Sequence, residues 1–168
     1  MGEQSIALVE EAVKKSGLLW LELPGLPQPR AAWHVWHDGS LYVLTGGEGE
    51  QPLPGLAESD RIRAIVPSKD KGGRLVTFDT ECSIVEPGTD LWDEVVPLLV
   101  KARLNGTSDQ AERWRTESWV VRLTPDAEIA GPAEQPADYA TVRPVPSPAT
   151  TAGPPPRLRG SKKRAVDR

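Results

Sequence analysis

The chain has one cysteine, Cys82, and two histidines, His34 and His37. A lone cysteine excludes an intrachain disulfide. Cys82 shares a strand face with Val76, Phe78 and Ile84, and so reads as a small core residue rather than a reactive thiol. Two histidines three apart on a strand point to opposite faces and cannot chelate one metal together. Without a second thiol, a metal site would need carboxylates alone, and none cluster at ligand spacing. No apolar run approaches the roughly 18 residues of a membrane helix. The opening MGEQSIALVEEAVKK has acidic residues around its apolar stretch and no basic start, so no secretory signal is expected. Ile6 stands where a myristoylation motif needs Ser or Thr. A cytoplasmic location follows as the expectation. Also absent are a GxSxG elbow and the GxGxxG and GxxxxGK phosphate spacings.

What is present is unevenly distributed. The 168 residues include 17 prolines and 15 glycines and carry a net charge of −4. Residues 131–168 hold seven Lys/Arg against three acids, which leaves the remainder at −8. An acidic body argues against a nucleic-acid-binding domain. Eight prolines between residues 131 and 156, separated mostly by Ala, Thr and Ser, cannot bury enough apolar surface to offset ordering entropy. Residues 1–130 are therefore read as one domain and 131–168 as a disordered tail, whose basic end could contact nucleic acid or an anionic surface.

The stretch 31–46, AAWHVWHDGSLYVLTG, predicts two strands around a type I′ turn at Asp38-Gly39. Apolar bulk on both of its faces predicts cover on both sides. A helix over residues 5–16 is expected from the Ile6, Val9, Val13 stripe, followed by a strand over 18–23. Strands are predicted over 61–66 and 74–85, the second alternating cleanly from Val76 to Ile84, with a hairpin tip at 69–73. Leu91, Val95, Leu98 and Ala102 mark a helix over 90–104, capped by Thr89 or Asp90 and kinked or started late by Pro97. A short helix over 108–115 and a strand over 118–124 follow. The order predicts a mainly β fold with flanking helices, a six-stranded antiparallel barrel.

Few residues offer chemistry. His34 has two readings, a general base or a packed structural histidine, and its place beside Trp36 favours the second. The glycine-rich turn 46–49 follows a strand but carries Glu48, with Glu50 next, and both oppose an anion. Most of the six tryptophans are expected in the core, with one or two walling a cleft for a flat ligand.

The runs AAWHVWHDGSLYVLTG, RIRAIVPSKDKGGRLVTF, PGTDLWDEVVPLLVKARLN and RWRTESWVVRLTP, in this order, resemble the pyridoxamine 5′-phosphate oxidase-like split-barrel family, most closely its uncharacterised actinobacterial members. The resemblance covers about residues 18–125. It implies a six-stranded antiparallel split barrel, a homodimer, and clefts at the subunit interface for FMN or, in some branches, a deazaflavin coenzyme. It further implies that the strand 32–36 runs along the cofactor ring, so that the face bearing His34 and Trp36 is the candidate cofactor side. Thr45 and Gly46 would lie near the phosphate. In the flavin oxidases proper a Ser-Arg-Lys type cluster follows that threonine, whereas residues 47–51 here read Gly-Glu-Gly-Glu-Gln. Compensating cations must come from elsewhere, and Arg61, Arg63, Lys69, Lys71 and Arg74 are nearest in sequence, with Lys69 and Arg74 the chosen candidates. The substrate-binding residues of the oxidase itself are missing. Two functions are expected in competition: a flavin- or deazaflavin-dependent oxidoreductase, and a binding or structural dimer without redox turnover.

Overall fold

The computed structural model describes residues 2–67, 75–104 and 106–126. The expected tail at 131–168, the hairpin tip, Lys69 and Arg74 lie outside the described residues.

In chain order the elements are α1 (Gly2–Lys15), β1 (Leu18–Glu22), β2 (Arg30–Trp33), β3 (Val35–His37), β4 (Ser40–Thr45), β5 (Arg61–Pro67), β6 (Leu75–Ile84), α2 (Asp90–Ala102), α3 (Gln110–Glu117) and β7 (Trp119–Pro125). All strand pairings are antiparallel, in the order β2-β1-β5-β6-β7-β4-β3. The two edge strands, β2 and β3, are consecutive pieces of one segment separated only by His34. A sheet whose ends are joined by one residue must curl on itself, and the result is a nearly closed barrel.

Among the described residues this break corrects the six-strand expectation to seven. The strand predicted through residues 32–36 changes partner at His34: Trp33 pairs with Leu18 on β1, and Val35 pairs with Tyr42 on β4. The alternation of faces survives the break. Ala32 and Trp36 join the barrel interior, and Trp33 and Val35 pack outside it.

The interior is built by strict alternation. Leu19 and Leu21, Leu41 and Val43, Ile62, Ala64 and Val66, Phe78, and Val121 and Leu123 all point inward. Val9, Ala12 and Val13 of α1 join them, and α1 touches β3, β5 and β6, so it closes one end of the barrel. The opposite face of β4 supplies Tyr42 and Leu44 to a second cluster with Trp92, Val95, Val96 and Leu99 of α2 and Trp114 of α3. Every residue of β4 is buried, as expected for a strand with apolar bulk on both faces. The turn joining β3 to β4 has φ of 43° at Asp38 and 71° at Gly39, the left-handed pair a type I′ turn requires.

Helix α2 is one element despite Pro97. Thr89 caps it by accepting from the Trp92 amide at 3.2 Å. Pro97 lies on the solvent side, where water can satisfy the carbonyl of Asp93 that loses its partner. Of the six tryptophans Trp92 and Trp114 are buried, Trp33 and Trp36 are half-buried against the two core clusters, and Trp20, on the outward face of β1, and Trp119, at the start of β7, are exposed.

Candidate functional site

A cavity of about 750 Å³ opens where the barrel splits. Gly17 and Leu18 at the start of β1, Trp33 at the end of β2, residues 49–51 of the loop after β4, and Ala102, Arg103 and Leu104 at the end of α2 line it. Its volume falls within the range of cavities that hold drug-sized ligands. The indole of Trp33 is held from behind by Trp114, with ring centroids 6.5 Å apart and planes tilted by 37°. The wall is thus mostly small or apolar, with one flat aromatic surface.

The polar part of the wall is a buried junction. Glu50, read from sequence as a repelling charge, turns inward and its side chain is only 2% exposed. Its Oε1 accepts from Arg103 Nε at 3.1 Å, Gln110 Nε2 at 2.7 Å and Trp114 Nε1 at 2.9 Å. Arg103 also donates through its terminal nitrogens to the carbonyls of Leu104 and Gly49. One carboxylate therefore ties the loop to the ends of two helices. Burial of an ion is tolerable here because charge and hydrogen bonds are both answered.

Gln51 mends the seam. Its Oε1 accepts from the Trp33 amide at 2.7 Å, and its Nε2 donates to the carbonyls of Trp33 at 3.2 Å and Leu44 at 3.0 Å. Beyond His34 the ladder between β4 and its partner has stopped, and this side-chain amide replaces the missing strand bonds. The loop reaches this position through Gly46 and Gly47, both at positive φ. A Cβ on Gly47 would lie 2.7 Å from Ser118 Oγ, so a side chain there would push the loop off the α3–β7 junction.

The predicted site residues are placed as follows. His34 is at the seam, with Nε2 3.3 Å from the Val13 carbonyl at the end of α1. A carbonyl only accepts, so Nε2 carries the proton and Nδ1 is bare; that atom is buried without a partner. Burial pushes the His34 pKa below the usual histidine value, opposed in part by the backbone of Val13 and Ala32. Trp36 packs on the barrel interior. Thr45 is buried, its hydroxyl 3.3 Å from the Gln51 carbonyl and 3.4 Å from that of Leu53. The Gly46 carbonyl accepts from Ser118. Thr45 and Gly46 thus shape the loop that borders the cavity, while His34 and Trp36 lie on the other face of the segment from Trp33. Arg61 and Arg63 are on the outer face of the sheet, paired with Asp126 and Asp79, away from the cavity.

Arg103 and Trp33 were not singled out from sequence as site residues. Arg103 lies 53 residues from Glu50, and no local pattern marks it. Trp33 had a signal: its face alternates with that of His34 and Trp36, and the strand is walled on both sides.

Among the described residues no three His, Cys, Asp or Glu side chains assemble a metal site, and no helix is long and apolar enough to cross a membrane.

No protein-family model and no curated protein matches the chain. Solved structures do. The haem storage protein HutZ from Vibrio cholerae superposes with a TM-score of 0.52 at 17% identity, covering 73% of this chain and 91% of that one. A proposed pyridoxamine 5′-phosphate oxidase from Listeria innocua gives 0.51 at 15% identity, over 74% and 97%. A conserved hypothetical protein from Mycobacterium tuberculosis gives 0.52 at 20% identity, over 71% and 79%. The fold of this chain is the split barrel of pyridoxamine 5′-phosphate oxidase-like proteins.

Proposed function

We propose that this chain is a small-molecule-binding split barrel whose cavity seats a planar heteroaromatic ring of the flavin type against Trp33. The observation that carries the reading is the cavity itself: about 750 Å³, at the split of the barrel, with an indole for a wall and Leu18 and Leu104 beside it. A flat ring gains both apolar burial and an aromatic contact there. Proteins of the same fold described as a haem storage protein and a pyridoxamine 5′-phosphate oxidase make a flat ligand the natural class. Haem fits the described lining poorly, because no His, Cys, Met or Tyr is among the described lining residues to serve as an axial ligand. When bound, a flavin ring supplies hydride chemistry. The chain's own part would be to hold the ring on Trp33, exclude water, and keep the loop 46–51 in place through Thr45, Gly46 and Gln51.

A homodimer accompanies this reading. Leu18, Trp20 and Leu104 are exposed, with Leu18 and Leu104 on the cavity wall and Trp20 next on the outward face of β1. A second copy over this strip would close the mouth. Light scattering at micromolar concentration is expected to give twice the chain mass.

A second reading, binding without redox turnover, is favoured by the state of the polar wall. Glu50 is tied by three donors and the Gln51 amide is spent on backbone, so neither is placed to move a proton to a ligand. The test is a visible spectrum after incubation with riboflavin or FMN and desalting, followed by anaerobic addition of a nicotinamide reductant. A retained flavin band lost in the Trp33→Ala variant supports the cavity. Bleaching by the reductant selects the oxidoreductase, and an unbleached band selects the binding protein. No retained band with either flavin removes the proposal.

A further inference from the structure

We infer that the cavity takes its ring ligand in uncharged, phosphate-free form, the riboflavin class rather than FMN. This rests on the proposed flavin-type reading and goes beyond it by naming the charge of the ligand.

Among the described residues the charged groups on the cavity wall are Glu50 and Arg103, and they face each other. Glu50 Oε1 holds three donors, and its carboxylate is nearly sealed from solvent. Arg103 directs Nε to both oxygens of that carboxylate, and its terminal nitrogens reach the carbonyls of Leu104 and Gly49. A phosphate arriving at Arg103 has two options. It can displace Glu50, which leaves a buried carboxylate with only neutral donors, Gln110 and Trp114. It can instead sit beside Glu50, where like charges meet at short range in a poorly solvated site. Both are unfavourable. Among the described residues the rest of the lining, Gly17, Leu18, Trp33 and Ala102 among it, supplies no compensating charge.

The other described cations near this end of the molecule do not line the cavity: Lys14 and Lys15 pair with Glu10 and Glu11, and Lys101 is exposed in the last turn of α2. Arg113 reaches the Glu48 carbonyl and Glu117, and Arg115 lies over the Trp92 ring at 5.9 Å. Within one protomer the described donor set therefore disagrees with a phosphorylated cofactor, while the volume and the aromatic wall agree with its ring. A neutral polyol chain can use backbone groups at the loop without meeting Glu50 as an ion.

The experiment is a fluorescence titration of the full chain with riboflavin and with FMN, repeated on Glu50→Gln, with circular dichroism to verify folding. The wild-type protein is expected to bind riboflavin at least about tenfold more tightly than FMN. In E50Q the Arg103 charge loses its internal partner, so the preference is expected to shrink or reverse through a gain in FMN affinity. FMN binding as tightly as riboflavin, or more tightly, overturns this inference while leaving the flavin-type reading standing. Binding of neither flavin to the wild-type chain overturns both. An unchanged preference in a folded E50Q also counts against the inference, because the discrimination would then not come from this pair. Should E50Q fail to fold, the wild-type comparison decides alone.

Discussion

Two groups of charged residues show how differently the same chemistry behaves in two parts of this molecule. On the outer face of the β5–β6 hairpin, Arg63 and Asp79 meet at 2.9 Å with side chains 46% and 40% exposed, and Arg61 lies near Glu81 and Asp126. Behind the cavity, Glu50 and Arg103 meet at 3.1 Å with side chains 2% and 18% exposed. The distances are close to equal, but the surroundings are not. Water screens the first group and competes for each hydrogen bond, so the pair adds little. At the second, every donor and acceptor must be answered internally, and removal of one partner strands the others. A short ion-pair distance therefore does not measure what the pair does.

Breaking the buried junction tests this contrast most strongly. Glu50→Ala is expected to cost about 3–5 kcal/mol, because it removes the one buried anion facing Arg103 and the oxygen shared by Arg103 Nε, Gln110 Nε2 and Trp114 Nε1. Chemical denaturation read by tryptophan fluorescence measures it, and a loss below 1 kcal/mol would mean that the junction relaxes at little cost. Gln51→Ala should follow at about 1–3 kcal/mol, since the amide and carbonyl of Trp33 lose the side chain that replaces a strand. Its ligand affinity should fall too, as the cavity wall loosens.

His34 sharpens the comparison through pH. Its folded pKa is lowered by burial, so the unfolded chain binds the proton more readily. Stability should be full above about pH 6.5, the ordinary histidine value, and decline as pH falls from there towards the folded pKa. The difference between wild type and His34→Gln, followed by thermal melting from pH 8 to pH 5, isolates this contribution; parallel curves would refute it. The smallest effect is expected at the surface, where Asp79→Asn should change stability by no more than about 0.2–1 kcal/mol and less at high salt.

The fold was legible wherever local chemistry decides. Asp38-Gly39 marks the hairpin, the alternation from Val76 to Ile84 marks a half-buried strand, and the Leu91, Val95 pattern with Thr89 marks α2. These features depend on neighbours two to four residues apart. The site was far less legible. The face of His34 and Trp36 was chosen through the family resemblance, which lays that strand along the cofactor ring; the cavity described here is lined by Trp33, on the opposite face of the same segment. The acidic loop was visible as Glu48 and Glu50, but which of the two turns inward was not.

By itself, then, the sequence determined the antiparallel β character, the helices and the alternation of faces along the strands, because φ/ψ preference and periodicity act over a few residues. Only the tertiary structure decided that the strand breaks at His34, that Gln51 bridges the gap, and that Arg103 answers Glu50. Closing a barrel brings residues tens of positions apart to within hydrogen-bond distance. Which of them must then be satisfied depends on how completely water is excluded there, and no local pattern records that.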